Sequence, residues 1–188
     1  MPFEQDSILV AEMKAGKQKA FNQIVLRYKD KVFNTAYRFL GDYQDANDLT
    51  QECFVSVYNN IRRFRGESSL STWIYSITVN TCKNRLKSAD RKRALKTVSL
   101  KDKVLESRAD NSSPVRMFER KELENSIQNA INSLPDDWRE VVVLRDIEEL
   151  AYEDIATILK CEIGTIKSRL HRARMELKDK LKGCIDNI

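Results

Sequence analysis

Glycine and proline are scarce in this chain of 188 residues, which contains five glycines and three prolines. Both residues interrupt regular structure, so their scarcity leaves room for long helices. Apolar residues recur at helical spacing along most of the sequence, and no segment keeps the two-residue period of a strand for long. The one strand-like run, VVVL at 141–144, has helical flanks. The sequence therefore predicts an all-α fold.

Long apolar runs are also absent. No segment approaches the roughly 20 apolar residues that a membrane-spanning helix needs. The first residues, MPFEQDSILVAEMK, lack the pattern of a secretory signal. Hydrophobic residues still make up 41% of the chain, which is enough to form a buried core. We therefore expect a soluble cytoplasmic protein.

Zinc ligands and catalytic signatures are missing as well. Four cysteines occur without a CxxC pair, and His171 is the only histidine, so no metal site is expected. The cysteines fit small apolar residues in a reducing compartment. No phosphate-binding loop, dinucleotide glycine fingerprint or HExxH motif occurs, and one histidine in a basic segment suits no nucleophile triad. We therefore expect neither a cofactor nor enzyme activity.

The helical pattern divides the chain into two parts. It predicts four helices in the first part, at residues 7–15, 19–40, 44–63 and 71–88. Residues 89–114 are highly charged, contain no aromatic side chain and end in Asn-Ser-Ser-Pro, which is typical of a flexible linker. Two more helices, at 115–133 and 136–145, precede a final helical pair. We predict two small helical domains, residues 1–88 and 115–188, joined by the linker at 89–114.

The net charge of +5 is unevenly distributed, and the final helical pair at 152–181 is strongly basic. Its first helix is predicted to end in a turn at 161–164. The second helix buries an apolar face through Ile166, Leu170 and Leu177 and carries many lysines and arginines elsewhere. This layout is typical of a helix-turn-helix whose second helix enters the DNA major groove. An amphipathic hairpin with a solvated basic face is the alternative.

The third helix carries an acidic stripe opposite its apolar face. Asp45, Asp48 and Glu52 lie on one side of the helix, with Gln51 beside them and Asp42 just before. Such a stripe is usually a solvated surface. In a chain that binds nucleic acid, it also suits a protein partner, because it repels DNA.

The segment after this helix combines aromatic and hydroxyl side chains. Phe64 and Trp73 flank Ser68, Ser69 and Ser71, a combination that suits an unstacked base. A plain helical connection with Trp73 in the core explains the same residues. The fourth helix adds a polar face that suits a phosphate backbone or simply solvent. That face includes Asn80, Lys83 and Lys87.

Three strings together resemble one family. They are DANDLTQECFVSVYNNIRRFRGESSLSTWIYSITVNTCKNRL at 45–86, SLPDDWREVVVLRDIEELAYEDIA at 133–156 and GTIKSRLHRARMELK at 164–178. In this order they resemble the bacterial extracytoplasmic-function (ECF) sigma factors, two-domain initiation factors of RNA polymerase. The resemblance covers nearly the whole chain and implies core RNA polymerase and promoter DNA as partners. Many such proteins also have an anti-sigma partner.

The resemblance also implies roles for individual residues. It implies that the third helix binds the clamp helices of the largest polymerase subunit. The matching positions are Asp45, Asp48, Leu49, Gln51 and Glu52. Capture of a flipped non-template base at the minus-ten element maps onto the loop 64–71 and Asn80. The second domain is expected to contact the polymerase flap and to read the minus-thirty-five element. The positions for that reading are Thr165, Lys167, Ser168, Arg169, Arg172 and Arg174.

Three positions depart from the family pattern. Glu149 stands where a glycine is expected, Glu162 follows Cys161 where a proline is common, and Lys167 stands where arginine is frequent. A lysine offers a point charge rather than a planar fork, so a bidentate guanine contact is not inferred there. Two other functions remain as alternatives. A stand-alone repressor or activator leaves the acidic stripe without a role, and a protein-only adaptor does not need the basic helix.

Overall fold

A computed structural model of the chain describes residues 2–95 and 114–185. The described part is helical and contains no strand, which confirms the predicted all-α fold. Four helices form the first domain: α1 (Pro2–Lys14), α2 (Gln18–Leu40), α3 (Tyr43–Asn60) and α4 (Leu70–Leu95). Four form the second: α5 (Pro114–Asn132), α6 (Asp136–Val142), α7 (Tyr152–Leu159) and α8 (Ile163–Ile185).

The tight connection between α2 and α3 was predictable from local chemistry. Gly41 ends α2 in the left-handed conformation, at φ 72°, and its amide donates to the carbonyl of Tyr37 at 2.8 Å. Asp42 then caps α3, because its carboxylate accepts a hydrogen bond from the backbone amide of Asp45 at 2.9 Å. Gly41 is also closely approached by the second domain. A Cβ there would lie 2.2 Å from the side-chain nitrogen of Asn132.

The core of the first domain is built from apolar residues at helical spacing. α2 buries Ile24, Val32 and Phe39, and α3 turns Ala46, Leu49, Cys53 and Val57 toward it. Burial raises the pKa of the Cys53 thiol to about 11, so this cysteine behaves as a small apolar residue. α3 ends in a 3₁₀ turn, Ile61–Arg63, and the predicted single helix at 44–63 is therefore two elements.

The fourth helix is longer than the sequence predicted. α4 does not stop at residue 88 but continues through Leu95, because the charged residues that suggested a linker are also good helix formers. Pro114 opens α5, as proline suits the first turn of a helix. The rest of the predicted linker, residues 96–113, lies outside the described residues.

The second domain departs from its prediction at two connections. The helix expected at 136–145 ends at Val142 and passes into a π-helical turn, Val143–Ile147, whose Val143 and Leu144 are fully buried. α7 ends at Leu159, and the next residue, Lys160, takes a left-handed conformation at φ 53°. α8 begins at Ile163, so the turn of the helix-turn-helix is shorter than the predicted 161–164.

The two domains pack against each other through one continuous apolar core. Buried residues of α2 and α4 join those of α5, α6 and α7 in a single cluster. Packing of α4 on α7 and of α2 on α5 accounts for most of the contact between domains. The polar side of this contact includes Lys83, which the sequence had assigned to DNA.

Candidate nucleic-acid and protein interfaces

The acidic stripe of α3 is a surface feature, with one exception. Asp45, Asp48, Gln51 and Glu52 are all exposed. Leu49 is fully buried at 0% exposure, so in the free chain it is part of the core rather than of the exposed stripe. It lies four residues after Asp45, on the adjacent buried side of the same helix, where it packs α3 against the core.

Arg85 of α4 lies beside this stripe and was missed from the sequence. Its guanidinium is 2.5 Å from a carboxylate oxygen of Glu52 and 3.7 Å from one of Asp45. Part of the negative charge is therefore neutralised within the chain. Residue spacing does not reveal this pairing, because the partners are 33 and 40 positions apart in the sequence.

Two large apolar side chains are exposed further along α3. Val55 is 60% exposed and Tyr58 is 50% exposed. Val55 follows Glu52 by three residues, so it extends the acidic stripe on nearly the same side of the helix. An apolar residue outside the buried stripe was the sequence signal for this site. The α3 surface thus offers apolar contact flanked by carboxylates, the usual make-up of a protein-binding patch.

The loop between α3 and α4 is built around Ser69, which caps α4. The Ser69 hydroxyl oxygen accepts the backbone amide of Thr72 at 3.0 Å and lies 2.8 Å from the hydroxyl of Ser71. Ser68 is half-buried, and its hydroxyl is 3.4 Å from the Ser69 carbonyl. Ser69 and Ser71 therefore have structural hydrogen bonds, whereas Ser68 has only a weak one.

The two aromatic residues of this region contribute mainly to the core. Phe64 is 9% exposed, and its ring centroid lies 5.1 Å from that of Trp73. Trp73 is half-buried and packs against the same core. The simpler alternative, a helical connection with Trp73 in the core, describes these rings well. Phe64 still presents one side to a cavity between α1 and the loop.

Asn80 is exposed, but the structure does not bring it to the loop cavity. It lies ten residues after Leu70 on α4, about 15 Å along the helix axis at 1.5 Å per residue. It is also not among the residues that line the cavity. In this structure Asn80 is therefore separated along α4 from Leu70, which lines the loop cavity.

The two α4 lysines face the second domain. Lys83 forms an ion pair with Glu140 of α6 at 2.9 Å, and the Glu140 side chain is only 3% exposed. Burial raises the pKa of Glu140, and the pairing with Lys83 opposes that shift. Lys87 is exposed and lines a cleft of about 260 Å³ together with Asp136 and Asp137.

Further polar contacts hold the domains together around the π-helical turn. Glu148, which follows this turn, accepts hydrogen bonds from Thr35 at 3.0 Å and from Tyr75 at 2.6 Å. Burial and the neighbouring Glu148 raise the pKa of Tyr75, which keeps its hydroxyl protonated as a donor. On α4, Thr72 donates to Asp154 of α7 at 2.8 Å.

The turn at Glu149 explains why a glycine was expected there. Glu149 takes a left-handed conformation, with φ 56°. That conformation costs a non-glycine residue roughly 1–2 kcal/mol. The amide of Leu150 donates to the Leu144 carbonyl at 3.0 Å, so the backbone keeps the turn despite the glutamate.

The basic helix α8 has the two faces that the sequence predicted. Ile166, Leu170 and Ala173 are buried. The opposite side exposes Lys167, Ser168 and Arg172, with Thr165 half-buried at the helix start. The Lys167 ammonium lies 5.6 Å from the ring centroid of Tyr152.

Two arginines of α8 are paired with acids of the same domain. Arg169 lies 2.6 Å from Asp137, and Arg174 lies 2.5 Å from Asp146. The pairing with Asp146 raises the pKa of Arg174 further. Both arginines are therefore held at defined positions on the rim of the basic surface.

Within 2–95 and 114–185, no three histidine, cysteine or acidic side chains are grouped so that they could hold a metal ion. None of the helices in those ranges is both long and apolar enough to cross a membrane.

Both domains of the chain match known protein families. The family model of Sigma-70 region 2 matches residues 24–92, and that of Sigma-70, region 4 matches residues 124–177. The first match contains the acidic stripe and the loop after it. The second contains the helix-turn-helix. The two matches occur in the order that the sequence strings suggested.

Whole-chain relatives agree with these matches. The RNA polymerase sigma-H factor of Pseudomonas aeruginosa is 39% identical over 175 residues, 91% of each chain. The ECF RNA polymerase sigma-E factor of Escherichia coli K12 is 36% identical over 184 residues, 96% of each chain. A solved structure of RpoE from Bartonella quintana with the anti-sigma factor NepR superposes with a TM-score of 0.73 at 27% identity, covering 87% of this chain and 98% of that one. With its region 2 and region 4 domains in sequence, the chain belongs to the ECF sigma factors of RNA polymerase.

Proposed function

We propose that the two domains of this sigma factor divide the work of promoter recognition. The protein is a non-catalytic initiation factor that binds core RNA polymerase and directs it to specific promoters. We assign polymerase docking and the minus-ten element to α1–α4, and the minus-thirty-five element to α5–α8. The observation that carries this assignment is the separation of charge: an acidic surface on α3 and a basic one on α8.

Docking on polymerase is assigned to the exposed side of α3. Asp48 and Gln51 are exposed there, and Val55 adds an apolar centre. Glu52 and Asp45 also contribute, although Arg85 shares their charge. A basic helical surface on the polymerase complements this patch, since opposite charges steer association and fix its register.

Reversing the charge of Asp48 tests this assignment. We expect Asp48→Lys to weaken binding of core RNA polymerase about tenfold, because a carboxylate is replaced by a repelling ammonium at an interface edge. The measurement is a titration of labelled full-length chain with core polymerase at two salt concentrations. Asp30→Lys is the matched control, an exposed charge reversal on α2. Equal binding by the parent and both variants rejects α3 as the docking surface.

At the minus-ten element, we propose that the loop and Asn80 contact different nucleotides. The distance between them along α4 supports this division over one shared base. Ser68 and the cavity beside it are assigned to an unstacked base, and Asn80 to a neighbouring position nearer the duplex. Lys83 and Lys87 are assigned to phosphates, which requires Lys83 to leave Glu140 when DNA binds.

At the minus-thirty-five element, we assign base edges to the exposed side of α8. Lys167, Ser168 and Arg172 carry this role, and their exposure opposite a buried face supports it. Arg169 and Arg174 are assigned to phosphates, since acids of the same domain already fix them at the rim. Thr165, in the first turn of α8, is placed to help position the helix on the backbone.

Replacement of Arg172 separates these two kinds of contact. We expect Arg172→Ala to cost about 1–2 kcal/mol at one base pair and to relax specificity there. The measurement is holoenzyme binding to a panel of minus-thirty-five variants, chosen by selecting bound promoters, at two salt concentrations. Lys178→Ala is the control, an exposed cation expected to weaken all sequences alike and to lower the salt slope by about one. If Arg172→Ala loses affinity equally for all promoter variants, Arg172 contacts phosphates rather than a base.

We also propose that the protein acts in the cytoplasm and has an anti-sigma partner. The Bartonella RpoE structure, which has the same fold, was solved with its anti-sigma factor NepR. Binding of core polymerase also distinguishes this function from that of a stand-alone repressor, which binds its DNA site without polymerase. A chain that selects DNA but does not bind core polymerase favours the repressor.

A further inference from the structure

α1 forms the second wall of the cavity at the minus-ten loop, although no sequence pattern assigned it a role. The cavity has a volume of about 580 Å³, which lies in the usual range for ligand pockets. One wall is the loop at 64–70. The other is a single face of α1, formed at helical spacing by Asp6, Ser7, Val10 and Lys14.

Lys14 connects the two walls. Its ammonium donates a hydrogen bond to the backbone carbonyl of Phe64 at 2.6 Å and lies 6.0 Å from the centroid of the Phe64 ring. Phe64 begins the loop, and Gly66 then takes a left-handed conformation at φ 77°, so the chain turns sharply just after the bonded carbonyl. The contact thus fixes the end of the loop from which the turn starts.

The chemistry of the cavity suits a nucleobase. Val10, Phe64 and Leu70 supply an apolar floor, with exposures of 8%, 9% and 3%. The half-buried Ser68 offers a hydroxyl for the edge of a base. At the rim, Lys14 and the strongly exposed Arg65 are cations for the adjoining phosphate.

The acidic residue of the α1 wall does not oppose this use. The Asp6 carboxylate pairs with Arg27 and accepts the hydroxyl of Tyr28 at 2.6 Å. Arg27 of α2 therefore neutralises the negative charge of Asp6, and the contacts with Arg27 and Tyr28 also hold α1 against α2. Burial raises the pKa of Tyr28 well above its usual value, so this donor stays protonated.

We infer that α1 completes the pocket for the unstacked non-template base, and that Lys14 is the residue that positions the loop for it. The inference rests on the proposed minus-ten role of the loop. Lys14 acts through Phe64 rather than by reading the base. Its loss is therefore expected to reduce discrimination at one nucleotide and to leave polymerase docking on α3 unchanged.

The test uses holoenzyme assembled from core polymerase and the full-length chain. The probes are single-stranded non-template oligonucleotides that carry each of the four bases in turn at each position of a selected minus-ten element. We expect Lys14→Met to lower affinity for the preferred base at one position about three- to tenfold. Lys14→Arg, which keeps a donor near the carbonyl, is expected to restore most of that discrimination. Thermal unfolding of the free variants checks that α1 remains folded.

Lys17→Met is the matched control, because Lys17 pairs with Glu12 and does not line this cavity. An even loss at all positions for Lys14→Met, no greater than that for Lys17→Met, overturns the positioning role. Ser68→Ala tests the loop itself. If Ser68→Ala reduces discrimination and Lys14→Met does not, the inference about α1 fails and the loop assignment stands. If neither variant changes discrimination, both the inference about α1 and the proposed base pocket at the loop fail.

Discussion

Replacing Arg139 with methionine is expected to lower the free energy of unfolding by about 3–5 kcal/mol. The Arg139 side chain is 10% exposed. It donates to the carbonyls of Ile131, Asn132 and Leu134 at 3.3, 2.7 and 3.0 Å, and to that of Phe39 at 3.2 Å. These carbonyls lie at or just beyond the C-terminal ends of α5 and α2, where helices lack internal partners. A methionine fills the space but leaves the carbonyls unsatisfied.

Urea denaturation followed by fluorescence measures this loss, since Trp73 lies in the first domain and Trp138 in the second. Arg145→Met is the matched control. Arg145 donates to one carbonyl, that of Leu150 at 2.7 Å, and its guanidinium lies 4.8 Å from the Tyr152 ring centroid. We expect a loss of about 1 kcal/mol there. Equal losses for the two variants contradict the bridging role of Arg139.

Replacing Lys83 with methionine is expected to cost about 2–3 kcal/mol at neutral pH, because it leaves the buried Glu140 carboxylate without its partner. The figure is below that for a fully buried pair, since the Lys83 side chain is 34% exposed. The same denaturation experiment measures it. No loss of stability means that the domains do not pack through this ion pair in solution.

The loss of stability in Lys83→Met is expected to become smaller as the pH falls. Burial already raises the pKa of Glu140 above its ordinary value of 4.5, and removal of Lys83 raises the pKa further. The folded state then binds a proton more readily than the unfolded state, so stability increases as pH falls through the folded pKa. The deficit of Lys83→Met is therefore largest above that pKa. It shrinks as pH falls toward the ordinary value.

A double variant isolates the charge. In Lys83→Met with Glu140→Gln, the buried group is neutral at every pH, so most of the lost stability is expected to return and its pH dependence to disappear. Glu140→Gln alone is expected to cost less than Lys83→Met, because the half-exposed lysine can turn to solvent. If the stability of the double variant still depends on pH, a titrating group other than Glu140 causes that dependence.

Local sequence chemistry determined the helices and several of their ends. The spacing of Tyr28, Val32 and Phe39 predicted the buried side of α2, and Gly41 and Asp42 marked the boundary with α3. The faces of α8 followed from the same rule. These features depend on residues three or four positions apart, which the sequence displays directly. The family was also readable, since its strings are contiguous.

The roles of single residues were less accessible, because local spacing does not tell which of two uses a side chain has. Leu49 shares a helix with the acidic stripe yet is fully buried. Ser69, chosen as a base contact, caps α4. Asn80 and the loop are close in the sequence, but Asn80 lies about 15 Å along the α4 axis from Leu70 at the edge of the cavity.

The sequence by itself determined the all-α class, the order of the two domains and the charge of their surfaces. Only the tertiary structure decided how the domains meet. Lys83 pairs with Glu140, Glu148 accepts hydrogen bonds from Thr35 and Tyr75, and α1 closes the cavity beside the loop at 64–70. The physical reason is that these contacts join residues far apart in the chain. They depend on which helix faces pack together, and helical periodicity specifies a buried face without naming its partner.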